Sequence, residues 1–207
     1  MRRTSMSKIT EFVASLAQRE STDTVANPYE CKAKAHNLEI YLRAALESPH
    51  IVFIGEAPGY HGCAKTGIPF TSSEQLQIGV HPFIDSIMNQ IQSTDADSEM
   101  TAKCFWEAMA QNNIIPIAWN VFPFHPHQSG NQNSNRTPDE DEIEEGTEYL
   151  YALLNLVSLK CIIAVGGKAH ALLTSLQIEH LHVRHPSFGG QTIFKEQIKK
   201  WFGGNND

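Results

Sequence analysis

Three polar residues stand where apolar runs of this 207-residue chain end, and together their types could do chemistry. Glu56 sits inside Gly55-Glu-Ala-Pro-Gly59, directly after Ile51-Val-Phe-Ile54. Asn120 follows Ile114-Ile-Pro-Ile-Ala-Trp119, and His185 opens His185-Pro-Ser187 just beyond His180-Leu-His-Val183. A carboxylate, an amide and an imidazole supply an acid or base, a paired donor and acceptor, and a titratable donor. The tail Thr66-Gly-Ile-Pro-Phe70 adds an aromatic ring to the first of these turns. Each residue also has an ordinary explanation: a strand-to-helix turn for Glu56, turn chemistry for Asn120, an X-Pro turn for His185. Two further pairs, His125-Pro-His127 and His180-Leu-His182, have the alternation that puts imidazoles on one face of a strand, which suits zinc or iron. Neither has an H-E-x-x-H or a carboxylate-rich partner to complete a metallohydrolase.

The positioning elements follow from periodicity. Short apolar runs at 51–54, 114–119 and 161–165, and a weaker one at 180–183, read as buried parallel strands. Helical spacing covers 7–19, 32–47 and 101–111, and a capping box at Thr71-Ser-Ser-Glu74 predicts a helix to about Ile91. Thr137-Pro-Asp-Glu140 predicts a helix from an N-cap at Thr137 to about Val157. Lys168 to Leu176 and Thr192 to Phe202 complete the set, while 121–136 has no periodicity and reads as a long polar loop. Strands alternating with helices give an α/β fold, a three-layer α/β/α sandwich on a mostly parallel four-stranded sheet. A single domain over 1–207 is expected, helical over about 1–48 and with its core over about 50–202. In such a sheet the carboxyl ends of the strands share one edge, where ligands bind, so Glu56, Asn120 and His185 are expected to converge.

The 41% hydrophobic content is enough for a substantial core, and no apolar run approaches the roughly 20 residues of a membrane span. Met1-Arg-Arg-Thr-Ser5 is basic but lacks the apolar stretch of an export signal. Cys31, Cys63, Cys104 and Cys161 are far apart with no C-x-x-C pair, which fits a reducing, cytoplasmic compartment. The net charge of −7 argues against a general nucleic-acid binder. Six of the 23 acids lie between 139 and 145, however, and the remaining 17 nearly balance 16 bases.

Gly55-Glu-Ala-Pro-Gly59, Gly67-Ile-Pro-Phe70, Asn120 after an apolar strand, Arg136-Thr-Pro138 and His185-Pro-Ser187 together resemble the uracil-DNA glycosylase superfamily. The nearest likeness is to its family-four branch, over roughly residues 50 to 190. The resemblance implies a partner, DNA containing uracil or another deaminated base, and a reaction, hydrolysis of the N-glycosidic bond to start base excision repair. It implies that Asn120 reads the flipped base, that Phe70 stacks on it with Gly55 and Ala57 lining the pocket, and that His185 stabilises the negative charge growing on O2. Ser187 and Arg136 match positions that hold the DNA backbone. Phe188 could enter the vacated stack, or pack simply within its loop.

The chain departs from that pattern in ways that bear on chemistry. Phe124 stands where family four has a cysteine, and the N-terminal C-x-x-C is absent, so no iron–sulfur cluster, no metal and no other cofactor is expected. The stretch Tyr60-His-Gly-Cys-Ala-Lys-Thr66 is one residue longer than the pattern and carries no acid. Ala57 stands where some members place a water-activating Asp, which leaves Glu56, and less strongly His61, to position water. The competing readings are a non-catalytic or nucleotide-binding member of the same fold and, more remotely, the metal-dependent hydrolase. A Rossmann-type site is disfavoured, because Pro58 removes an amide that a phosphate would need. A monomer is the default expectation.

Overall fold

The computed structural model describes residues 2–47, 50–92 and 97–203. The expected helix stop at Ser48-Pro49 and half of the polar loop 92–99 lie outside them. In chain order the elements are α1 (Arg2–Gln18), β1 (Val25–Ala26), α2 (Lys32–Ala45), β2 (His50–Gly55), α3 (Cys63–Thr66), α4 (Ser73–Ile78) and α5 (Pro82–Ile87). There follow α6 (Met100–Gln111), β3 (Pro116–Asn120), β4 (His125–Pro126), α7 (Glu140–Leu154), β5 (Leu159–Val165), α8 (Gly167–Ser175), β6 (Leu181–Val183) and α9 (Gln191–Phe202).

The four expected strands form one parallel sheet in the order β3-β2-β5-β6, flanked by helices, as the α/β reading requires. The apolar run of β2 is buried along its whole length because both sheet faces are covered. On one face Phe53 meets Phe105 of α6 at 5.2 Å between ring centres, and Phe105 reaches Phe194 of α9 at 6.4 Å. On the other, Trp119 packs on Phe12 of α1 at 5.4 Å. Burying each such side chain is worth about 1.5–3 kcal/mol. Pro116 is tolerated because it opens β3, an edge strand. The Tyr41 hydroxyl covers that edge by donating to the Pro116 carbonyl and accepting from the Ala118 amide, both at 2.8 Å. Register matters most for function. Gly55 lies opposite Asn120, Ile54 opposite Ala164, and Val165 opposite Val183, so the carboxyl ends of all four strands are level.

Four expectations about helices and loops need correction. The helix expected over 71–91 is broken into α4 and α5. Gly79 turns left-handed at φ +57°, and a Cβ there would stand 1.7 Å from Asp85 Oδ1. His81 then caps α5 by accepting the Phe83 amide on Nδ1 at 3.0 Å, with Pro82 in the first turn. The capping box of α4 is Ser72 with Gln75, one residue later than expected. The box of α7 is Asp139 with Glu142, each side chain accepting the other's amide at 3.0 Å, and Thr137 lies outside the helix. Finally, the loop 121–136 is not structureless. Its β4 pairs antiparallel with β1, and the His127 amide donates to the Thr24 carbonyl at 2.8 Å.

Candidate active site

The level strand ends open onto a cavity of about 280 Å³, and Glu56, Asn120 and His185 all line it together with Gly55, Ala57, Phe70 and Ser187. Asn120 is placed by the last residue of β3 and is only 4% exposed. Its side-chain amide opens onto the cavity, and among the described residues no hydrogen bond to it is formed. Phe70 reaches the same point from the loop after α3. One of its faces stacks on Phe105 at 4.9 Å and 27°. It holds φ at +53°, a region uncommon for a bulky residue and worth attention at ligand sites. The surrounding loop over-determines it: Thr66 Oγ1 accepts the Ile68 amide at 3.1 Å and donates to the Thr71 carbonyl at 2.7 Å. The Thr71 hydroxyl in turn takes the Trp106 indole N–H at 3.0 Å. Gly55 is what lets Asn120 and Phe70 close on the strand end, because a Cβ there would lie 2.6 Å from both Asn120 Oδ1 and the Phe70 ring. The result is a slot with an amide at its edge and an aromatic ring on its wall.

His185 faces this slot from the turn after β6. Its Nδ1 accepts the Ser187 amide at 3.1 Å and lies 2.7 Å from the Ser187 hydroxyl. That pairing fixes the neutral tautomer with its proton on Nε2, so Nε2–H is the ring's donor. Burial, reinforced by the nearby Arg184 charge, holds the imidazole below its ordinary range. Ser187 is therefore turned onto His185 rather than outward. Phe188, next to it, is 96% exposed at the cavity rim with φ +50°.

The remaining sequence candidates divide sharply. The Glu56 carboxylate takes Lys168 Nζ at 2.9 Å, and Lys168 also donates to the Thr137 hydroxyl. Arg136 does not reach the cavity. Its guanidinium is doubly bonded to Glu142 at 2.5 and 2.7 Å and also donates to the carbonyls of Thr24, His127 and Thr137. His61 stands outside the cavity lining, paired with Asp97 at 2.8 Å. His125 is spent on bracing, with its two ring nitrogens 2.9 Å from the Pro58 carbonyl and 3.0 Å from the Gln132 carbonyl. His180 and His182 gather with His170, whose ring stacks on His182 at 4.3 Å. Two charged residues of the cavity lining escaped sequence reasoning, Lys168 and Glu99. Lys168 directly follows Gly166-Gly167, a cue for a site-facing side chain, whereas Glu99 has only the look of a helix-capping acid.

The residues do not fit an iron–sulfur cluster. Phe124 fills the relevant place as a fully buried ring packed between Phe122 and Tyr149, at 5.4 and 5.3 Å, with the Arg19 guanidinium 5.0 Å above it. Cys31 is exposed, Cys63 and Cys104 are buried, and among the described residues no three His, Cys, Asp or Glu side chains are arranged to hold a metal ion.

Comparison with known proteins agrees with this geometry. Among curated proteins, no sequence matches the chain. Among solved structures it is similar to SMUG2 of Pedobacter heparinus, with a TM-score of 0.74 over 98% of this chain and 99% of that one, at 18% identity. The model of the uracil DNA glycosylase superfamily matches residues 44–202, the span that carries the sheet, the slot and the His185 turn. The chain belongs to the uracil DNA glycosylase superfamily.

Proposed function

We propose that this protein is a DNA glycosylase that rotates uracil, or a related deaminated base, out of the stack and hydrolyses its N-glycosidic bond. Superfamily membership supports the glycosylase class. The observation that carries the substrate reading is the Asn120 amide, which opens onto the cavity beside Phe70 without a protein partner among the described residues. A donor–acceptor pair opening onto a narrow slot suits a ligand with the opposite pattern, and uracil offers it through O4 and N3–H. Phe70 provides a flat wall for the base, an interaction worth about 1–3 kcal/mol per stacked ring. As the C1′–N1 bond stretches, charge grows on O2. The His185 Nε2–H is a donor held ready for that oxygen, kept in register by Ser187. Phe188, exposed at the rim, suits the place a departing nucleotide vacates in the duplex.

The test is direct. Purified protein is incubated with end-labelled oligonucleotides carrying uracil, hypoxanthine or xanthine, single-stranded and opposite guanine, and alkali-labile abasic sites are counted. Strand scission at uracil is expected. Its absence with all three bases in both contexts would overturn the reading.

A further inference from the structure

The water-activating group suggested by the sequence was Glu56, yet that carboxylate is bound by Lys168 at the cavity rim. A second carboxylate lines the same cavity from a different element. Glu99 precedes α6 and is half-buried, and among the described residues no hydrogen bond to its carboxylate is formed. Nor does it serve as a side-chain cap for α6. Its position is built into the acid-free stretch after the first motif. A Cβ on Gly62 would stand 1.9 Å from Glu99 Oε2, and one on Gly59 3.3 Å from Oε1. The two glycines leave the space the carboxylate occupies, in the segment where an acid is missing from the local sequence.

We propose that Glu99 is the residue that holds and deprotonates the attacking water. The inference rests on the glycosylase reading above and supplies the base that the first motif, with Ala57, lacks. The C1′–N1 bond breaks with its electron pair passing into the base, chiefly onto O2, where His185 and Asn120 hold the anion. The water oxygen bonds to C1′, and its proton passes to the Glu99 carboxylate. That proton then leaves with the base, so that one water is consumed and one free base and one abasic sugar are formed. An ion-paired carboxylate such as Glu56 is a poorer proton acceptor than one without a cation, which is why the unpaired acid is assigned the step.

The groups around Glu99 agree. Burial raises its proton affinity, the His61 charge lowers it and the Asp97 charge raises it, with a net upward displacement. Cys63, beside it in the cavity, is pushed up to about 12 by burial and stays a neutral thiol. Across the cavity, Glu56 and Lys168 offset each other and His185 is held neutral by burial and by Arg184. The base therefore works from a value shifted toward neutrality, where proton transfer is most effective.

Single-turnover excision of uracil is measured for the wild type, Glu99→Gln and Glu99→Ala between pH 5 and 9. Binding to the same oligonucleotide carrying non-hydrolysable 2′-fluorodeoxyuridine is measured in parallel. The expected result is a rate lower by about 100-fold or more in both variants, with binding within about threefold of wild type. The rise of the wild-type rate from acid to neutral pH is expected to vanish in Glu99→Gln. Wild-type excision with unchanged rates in both variants would overturn the role of Glu99 and leave the glycosylase reading standing, as would a loss of binding that accounts for the loss of rate. A wild type that excises nothing would overturn the glycosylase reading, and this step with it.

Discussion

The cavity and the 121–136 loop beside it draw on the same kinds of residue, and they treat polar groups in opposite ways. In the loop Arg136 is engaged by Glu142 and three carbonyls, and His125 lies between two more, with Nε2 of His127 an exception. In the cavity the side chains of Asn120 and Glu99 face the opening with no such engagement among the described residues. Satisfied polar groups hold a fold together. Polar groups left free at the mouth of a cavity are available to a ligand. Both regions contributed residues to the sequence-level list of candidates, so residue type alone does not separate them. Partnership does.

The largest effect that tests this contrast is loss of the donors in the cavity. Asn120→Ala and His185→Ala are each expected to lower single-turnover excision by roughly 10²–10³-fold while the urea midpoint stays near that of the wild type. Undiminished rates in both variants would remove these residues from the site. Gly55→Ala comes next. Its Cβ would meet Asn120 Oδ1 and the Phe70 ring at 2.6 Å, so the slot closes at an overpacking cost of about 1–3 kcal/mol. Binding of a uracil-containing oligonucleotide should weaken more than the fold does, and retention of full affinity would show that the base lies elsewhere.

Arg136→Met turns the comparison around. Removing the guanidinium leaves Glu142, at 11% side-chain exposure, without its cation and frees three carbonyls. A destabilisation of about 2 kcal/mol is expected in a urea melt, with little change in excision per folded molecule. A large drop in DNA affinity at unchanged stability would restore Arg136 to the backbone contact that the resemblance implied.

What was legible in the sequence follows the range of the interactions involved. Strands at 51–54 and 161–165 are short apolar runs closed by glycine, a local signal, and their parallel pairing then brings Glu56, Asn120 and His185 to one edge. The break between α4 and α5 was masked because Leu76, Phe83, Ile84 and Ile87 keep helical spacing across Gly79 and Pro82. Thr137 looked like a cap because Asp139, two residues on, carries the same competence and forms the box with Glu142 instead. Glu99 was invisible for a different reason. Its place against Gly62 joins segments 37 positions apart, and the Lys168–Glu56 pair spans 112. No local pattern encodes either, whereas both decide which carboxylate is available for chemistry.

The smallest expected effect concerns acid stability and sets the site imidazole beside a structural one. His81 and His185 each accept a backbone amide on Nδ1, from Phe83 and Ser187, and protonation would remove that acceptor. Burial lowers the proton affinity of both, so the unfolded chain binds the proton more readily than the folded one. Their contribution to stability is therefore complete above the ordinary imidazole range near 6.5 and is lost as pH falls through the lowered folded values. The urea midpoint should drop between pH 7.5 and pH 5, and the drop should be smaller in His185→Gln and in His81→Gln. If the wild-type midpoint held constant over that interval, neither ring would be acting as a neutral acceptor. A drop relieved by His81→Gln alone would place the acid sensitivity in the break between α4 and α5 and leave the His185 turn indifferent to it.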